Sequence, residues 1–336
     1  MGYIFSVGSG VADSVFGFAE APIRGILDSR GEAFEKKSML GEFFSMGTSE
    51  NGMDAYTSMT GMNGFEPVGE NGPYPADYME EGYKKIFVYD TWKDAFSISK
   101  EAIDDDKMLD LRQKPVQFIK GWHRTRENFG AAIYGGAING QGTITFGKKK
   151  FDILGADGLP LFHKAHKPKV KGATQANLFS DAFSVEALDM AEAAMQQFKG
   201  DSGELLDVAP TTIAIPNIPS LKRKVFAAIG ADKDPLTANN GFNFQFGRWR
   251  VLIWGYLNQF IAKGVEPWML LDDDYIEAAD GPKWIDREKL SIRSDLNDDN
   301  DANVWRGRGR FGAGFVDWRF ACCGGMAAGA ALANVI

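Results

Sequence analysis

Residues 96–140 read FSISKEAIDDDKMLDLRQKPVQFIKGWHRTRENFGAAIYGGAING, and the rest of the chain is organised around them. Phe96-Ser97-Ile98-Ser99 alternates like the end of a strand with one buried face. Asp104, Asp105 and Asp106 follow, suited to cap a helix and to meet its positive end. From Pro115 the apolar residues Val116, Ile119, Trp122, Phe129, Ile133 and Ala137 recur mostly three or four apart. Gln117, Lys120, Arg124, Glu127 and Asn128 turn the other way, which is the pattern of an amphipathic helix. Pro115 suits the first helical position and would kink a helix that began earlier. At ~1.5 Å per residue the segment 115–137 spans roughly 35 Å, about the width of a domain. Entered from a strand and left through Gly135-Gly136, it reads as a spine; an ordinary core helix satisfies the same spacing.

The whole chain has 336 residues, enough for a sizeable core and about two or three domains. A net charge of −8 argues against a general nucleic-acid condenser, whose footprint would be basic. No apolar run reaches about eighteen residues, so no membrane partner is expected. The N-terminus lacks the basic start and apolar core of a signal peptide, and Met1-Gly2 with Ser6 matches the short myristoylation pattern at chance level. The two cysteines, Cys322 and Cys323, are neighbours. Their Cα separation of ~3.8 Å is too short for a relaxed disulfide, so two reduced, partly buried thiols are expected.

Residues 1–50 show no sustained period and are expected to form an arm that gains order against neighbours. Within it, the spacing of Ile23, Ile26, Leu27, Arg30 and Phe34 allows a short helix. The segment 51–64 is rich in Gly and Met and is read as loosely packed. Phe65 to Val68 and Tyr83 to Phe96 read as two strands joined by a proline-stiffened loop. Phe65, Pro73, Tyr74, Pro75, Tyr78 and Tyr83 make this extended hairpin a candidate interface, since little nearby sequence can bury its aromatic rings. After the spine come a hairpin around Lys148–Lys150, a helix capped by Ser184, a strand ending at Pro216 and a helix stopped by Gly230. Strands at 249–254 and within 267–273 and long returning strands over 305–320 complete an α+β order without regular βαβ units.

The motifs that would carry chemistry lack their context. Gly307-Arg308-Gly309-Arg310-Phe311-Gly312 matches G-x-G-x-x-G, but the residues that follow are strand-like and no βαβ unit remains. Arg306, Arg308 and Arg310 alternate, so on a strand they share one face, read as an inter-subunit or solvated ridge. His163 and His166 lack the helical spacing of a zinc pair and are read as surface or loop histidines. Asp295 to Asp301 resembles a calcium loop without its Gly and Glu, and reads as solvated acidic loop. No catalytic constellation, cofactor site or metal site emerges, and the chain is read as a non-enzyme.

Four stretches together resemble the major capsid proteins of tailed bacteriophages with the Hong Kong phage fold, and the Mu-type major head subunit in particular. They are FEPVGENGPYPADYMEEGYKKIFVYDTWKDAFSISKEAIDDD, LFHKAHKPKV, SVEALDMAEAAMQQFKGDSGELLDVAPTTIAIP, and EPWMLLDD with RGRGRFGAGFVDWRFACCGG. They run in the family's order from about Phe65 to the C-terminus. Where the family pattern places a small turn and an asparagine after the second histidine, this chain has Lys167-Pro168. The resemblance implies peripheral and axial domains around a spine helix. Its divisions are an arm at 1–50, a hairpin with returning strand at 51–96, a peripheral domain at 97–183, an axial domain at 184–290, and returning peripheral strands at 291–336. It further implies pentamers and hexamers closing into an icosahedral head around double-stranded DNA contacted non-specifically. Assembly would take place in the host cytoplasm, with scaffold, portal and decoration proteins as further partners. Candidate subunit contacts are the six hairpin residues above with Arg124, Glu127, Arg306, Arg308 and Arg310. The rivals are an encapsulin-like nanocompartment shell and an oxidoreductase built on Gly307–Gly312.

Overall fold

The computed structural model describes residues 4–7, 25, 27–59, 67–68, 74, 80–99, 108–230, 243–278, 281–297 and 302–336. The strands are β1 (Ile4–Val7), β2 (Ser45–Thr48), β3 (Met53–Met59), β4 (Glu81–Val88), β5 (Asp90–Ser99), β6 (Thr143–Phe146), β7 (Lys149–Asp152), β8 (Thr212–Pro216), β9 (Arg250–Trp254), β10 (Trp268–Leu271), β11 (Lys283–Asn297), β12 (Ala302–Gly314) and β13 (Ala321–Gly324). The helices are α1 (27–35), α2 (Leu40–Phe43), α3 (Met108–Ile138), α4 (Val185–Gln196), α5 (Pro219–Ile229) and α6 (Asp273–Glu277).

The spine is α3, 31 residues long and therefore ~46 Å. It begins before Pro115, which lies inside it instead of opening it. Gly135 and Gly136 do not end it either. A Cβ at Gly135 would overlap Phe260, and one at Gly136 would overlap Ile144 and Ile153. The two glycines let neighbouring segments pack directly on the helix backbone. The chain turns at Gly140, whose φ of 67° is the left-handed conformation that closes many helices.

The apolar stripe of α3 covers one face of a five-stranded sheet of order β1-β11-β12-β5, with β2 also paired to β11. Phe118 and Ile119 meet Ile98, Leu290, Ile292 and Trp305 there. A Cβ at Gly307 would overlap Phe118, and one at Gly309 would overlap Trp122, so these glycines allow the helix its close approach. A second sheet, β13-β10-β8-β9, is buried at every residue of β8, β10 and β13. Around it lie Leu188, Ala191 and Met195 of α4 and Leu221 and Val225 of α5.

Several sequence expectations are corrected. Residues 27–48 are no free arm: Leu27, Leu40, Phe43 and Phe44 are buried, and Phe43 stacks on Trp254 at 4.3 Å. The outgoing strand of the hairpin is β3, within the Met-rich stretch read as loose, and Phe65 lies outside the described residues. The expected strand 83–96 is two strands parting at Tyr89, because β4 pairs with β3 while β5 pairs with β12. A boundary at 290/291 would cut β11, whose pairing with β12 starts at Lys283. The returning strand ends at Gly314, and β13 pairs with β10 in the buried sheet, not with the peripheral one. Cys322 and Cys323 are fully buried, and burial pushes the Cys322 thiol up to about 12.

Candidate subunit-contact surfaces

The hairpin β3–β4 presents two different rows of side chains, because alternate residues point to opposite faces. The inner row carries Tyr56, Phe87 and, just beyond β4, Tyr89, with Phe87 and Tyr89 clustered with Ile285 and Val316. Lys85 belongs to this row and pairs with Asp152 at 2.6 Å. The outer row holds Met53 opposite Val88 and Ala55 opposite Ile86. Met53, Val88 and Ile86 are 62%, 61% and 52% exposed. Toward the loop, Tyr83 donates to the Lys167 carbonyl at 3.3 Å and Lys169 donates to the Glu81 carbonyl at 2.6 Å. Tyr74 is 98% exposed. Phe65, Pro73, Pro75 and Tyr78 lie outside the described residues.

On the spine, Arg124 is exposed as expected, but Glu127 is buried and bonded within the chain. Its Oε1 accepts from Ser38 Oγ at 2.5 Å and from the Met39 N–H at 2.9 Å. Its Oε2 accepts from Trp254 Nε1 at 3.0 Å. Glu127 therefore clamps the N-terminal segment and β9 to the spine, and the reading of it as a surface contact is withdrawn. Helical spacing placed it on the polar face; the segment 34–39 then folded over that face. A groove of about 480 Å3 remains beside it, lined by Lys37, Lys120 and Arg124 among others. Next to it His123 is buried and its ring lies 5.6 Å from that of Phe34. Burial, reinforced by the positive charge of Arg126, lowers the His123 pKa to about 4.

The sheet face opposite α3 carries Arg306, Arg308 and Arg310. Arg306 pairs with Asp295 at 2.8 Å, Arg308 with Glu288 at 3.5 Å, and Arg310 donates to the Tyr89 carbonyl at 3.4 Å. The G-x-G-x-x-G run lies wholly within β12, followed by no helix, so the cofactor reading has no structural footing. Asp295 and Asn297 sit on β11, while 298–301 lie outside the described residues.

His166 is no surface histidine. It is buried, stacks on Trp318 at 4.3 Å, and its Nδ1 lies 2.6 Å from Asp157. Its Nε2 is 3.1 Å from Oδ1 of Asn177, which also accepts from the His163 N–H at 2.9 Å. The Asn177 amide donates toward the carbonyls of Leu161 (2.8 Å), Ala321 (3.0 Å) and Trp318 (3.4 Å). Nearby, Arg319 is held between Asp201 (2.7 Å) and Asp317 (2.8 Å). Among the described residues no group of three His, Cys, Asp or Glu could hold a metal, and no helix is long and apolar enough to cross a membrane.

Sequence reasoning also missed Phe226, Phe244 and Phe246, each about half exposed, with the Arg248 guanidinium 5.7 Å from the Phe244 ring. Their signal was available only as phenylalanine in polar surroundings, which periodicity does not flag.

The hairpin row, the spine face and the arginine-bearing sheet face are the surfaces these residues build. The fold is similar to the capsid structure of the cyanophage P-SCSP1u, at 12% identity over 85% of this chain and 88% of that one, with a TM-score of 0.52. It is also similar to a structure from Mycobacterium phage Patience, at 11% identity over 99% and 94% of the two chains, with a TM-score of 0.50. No curated protein sequence matches the chain. Residues 84–323, well over half of the chain, match the phage capsid protein family. The chain therefore belongs to the phage capsid protein family, as a structural major capsid protein with the α+β Hong Kong phage fold.

Proposed function

We propose that copies of this chain assemble as pentamers and hexamers into an icosahedral head that encloses double-stranded DNA. The observation that carries this, within the family assignment, is the outer row of the hairpin. Met53, Ala55, Ile86 and Val88 form a continuous apolar strip that the subunit leaves uncovered. Fully covering one such side chain contributes ~1.5–3 kcal/mol, so repeated contacts around a closed shell add up quickly. Tyr74 and Tyr83 near the same loop, Arg124 on the spine, and Arg306, Arg308 and Arg310 on the sheet are further contacts in this reading. The two sheets support a division into a peripheral lobe, built on α3, β5, β11 and β12, and an axial lobe, built on β8, β9, β10 and β13. Scaffold, portal and decoration proteins would join the assembly in the host cytoplasm.

The test is to express the chain alone and examine it by sedimentation and electron microscopy. Closed particles are expected, and a monodisperse monomer under all assembly conditions would overturn the reading. Particles that selectively enclose a protein cargo would instead support the nanocompartment alternative, which the phage capsid family assignment disfavours.

A further inference from the structure

The groove beside the spine has a cationic rim. Lys37, on the segment after α1, and Lys120 and Arg124 of α3 line its volume of about 480 Å3. All three side chains are exposed and form no ion pair among the described residues. Lys120 and Arg124 lie four residues apart, ~6 Å along one helix face. Lys37 is set against them by the Glu127 clamp, whose Oε1 holds the next two residues, Ser38 and Met39, to the spine. Among the described residues Glu127 is the one acidic group in the lining, and both its oxygens are engaged. His123, titrating near 4, adds no charge at neutral pH. The lining therefore carries three positive charges against one negative, in a chain of net charge −8.

The rest of the lining narrows the kind of anion. None of the large apolar side chains that the described residues leave exposed borders the groove. Phe34, Met39 and Tyr256 are half-buried and Trp254 is buried, so an amphipathic protein helix finds no exposed anchor there. Besides its cations, the groove offers solvent the backbone of Gly255 and the amide side chain of Gln259. Lysine, arginine, side-chain amides and open backbone are the groups that contact the phosphates and sugars of nucleic acid. Duplex DNA carries one negative charge per ~1.7 Å of its axis, so cations ~6 Å apart on one helix face each meet a phosphate.

We infer that the groove lined by Lys37, Lys120 and Arg124 binds the phosphate backbone of the enclosed duplex DNA, which turns the exposed face of α3 toward the interior of the head. This rests on the capsid reading and adds to it the surface that meets the DNA. Each contact is weak but recurs in every copy, so the shell as a whole holds the duplex without reading its sequence. Three phosphate contacts give an affinity that falls ~40-fold between about 50 and 200 mM salt.

The test compares Lys37→Gln with Lys120→Gln, which removes two of the three cations, and Lys37→Arg with Lys120→Arg, which keeps them. Binding of a fluorescein-labelled DNA duplex to unassembled subunits of the full chain is followed by anisotropy as salt is raised. The glutamine pair should unfold at the parental temperature and form particles at parental yield. Its plot of log affinity against log salt should be shallower than the parent's by ~1.8, while the arginine pair keeps the parental slope. Closed parental particles should ignore duplex added from outside, and glutamine-pair particles assembled around duplex should enclose less of it. A parental slope in the glutamine pair, or duplex bound to the outside of closed particles, overturns the inference. A folded glutamine pair that forms no particles overturns it too, and gives the groove to a neighbouring subunit or an acidic protein. Failure of the parent to form particles strikes the capsid reading, while the slopes from unassembled subunits still decide the groove.

Discussion

Replacing Glu127 by alanine separates a clamp from a surface charge. The carboxylate satisfies three donors, from Ser38, Met39 and Trp254. An unpartnered buried donor costs ~1–3 kcal/mol. Ser38 and Met39 line the groove beside the spine, so water can recover part of their loss. Trp254 borders the same groove but is only 1% exposed, so its N–H recovers less. The sum is ~3–5 kcal/mol for Glu127→Ala. Glu127→Gln keeps one acceptor oxygen and should cost ~1–2 kcal/mol. Arg124→Glu, three residues earlier and exposed, should stay within ~0.5 kcal/mol. Denaturant unfolding of the isolated subunit, followed by tryptophan fluorescence, gives all three values at once. A Glu127→Ala cost below about 1 kcal/mol, or equal costs for Glu127→Ala and Arg124→Glu, would refute the clamp.

Three further outcomes are expected. His123 titrates near 4 in the folded chain against ~6.5 when unfolded, so the unfolded state takes up its proton first as pH falls; its contribution is full above ~6.5 and declines toward pH 4 by on the order of 3 kcal/mol. Denaturation midpoints at pH 7 and pH 4.5 should therefore diverge less in His123→Gln than in the parent, and equal divergence would contradict this. Asn177→Leu strands the His163 N–H and the carbonyls of Leu161 and Ala321 in a buried site and should cost ~2–4 kcal/mol by equilibrium unfolding; a cost near zero would mean water replaces the amide. Ile86→Asp with Val88→Asp lies on an exposed row, so subunit stability should move by ~0.5 kcal/mol or less while particle yield by electron microscopy collapses. Unchanged yield would remove the hairpin strip from the contact map.

What the sequence determined is what short-range periodicity and turn chemistry can encode. The apolar stripe of α3 was legible because residues three and four apart share a helix face whatever lies beyond them. Ser184 was legible as a cap because its hydroxyl needs to reach only Ala187, three residues on. The alternation Arg306-Arg308-Arg310 was legible as one strand face for the same reason. The order of such local pieces was enough for the family resemblance and for the α+β class. The strand partners were not legible, since β3 alternates no more clearly than the loop after it and gains its identity only from β4. The place of β13 in the buried sheet likewise depends on β10, far away in sequence. Polar residues were the least legible of all. Whether Glu127 faces water or a clamp is decided by Trp254, 127 residues away, and whether Asn177 is surface or core is decided by Ala321, 144 residues away. A carboxylate or an amide carries no local mark of the partner that will bury it; only the tertiary fold brings that partner within 3 Å.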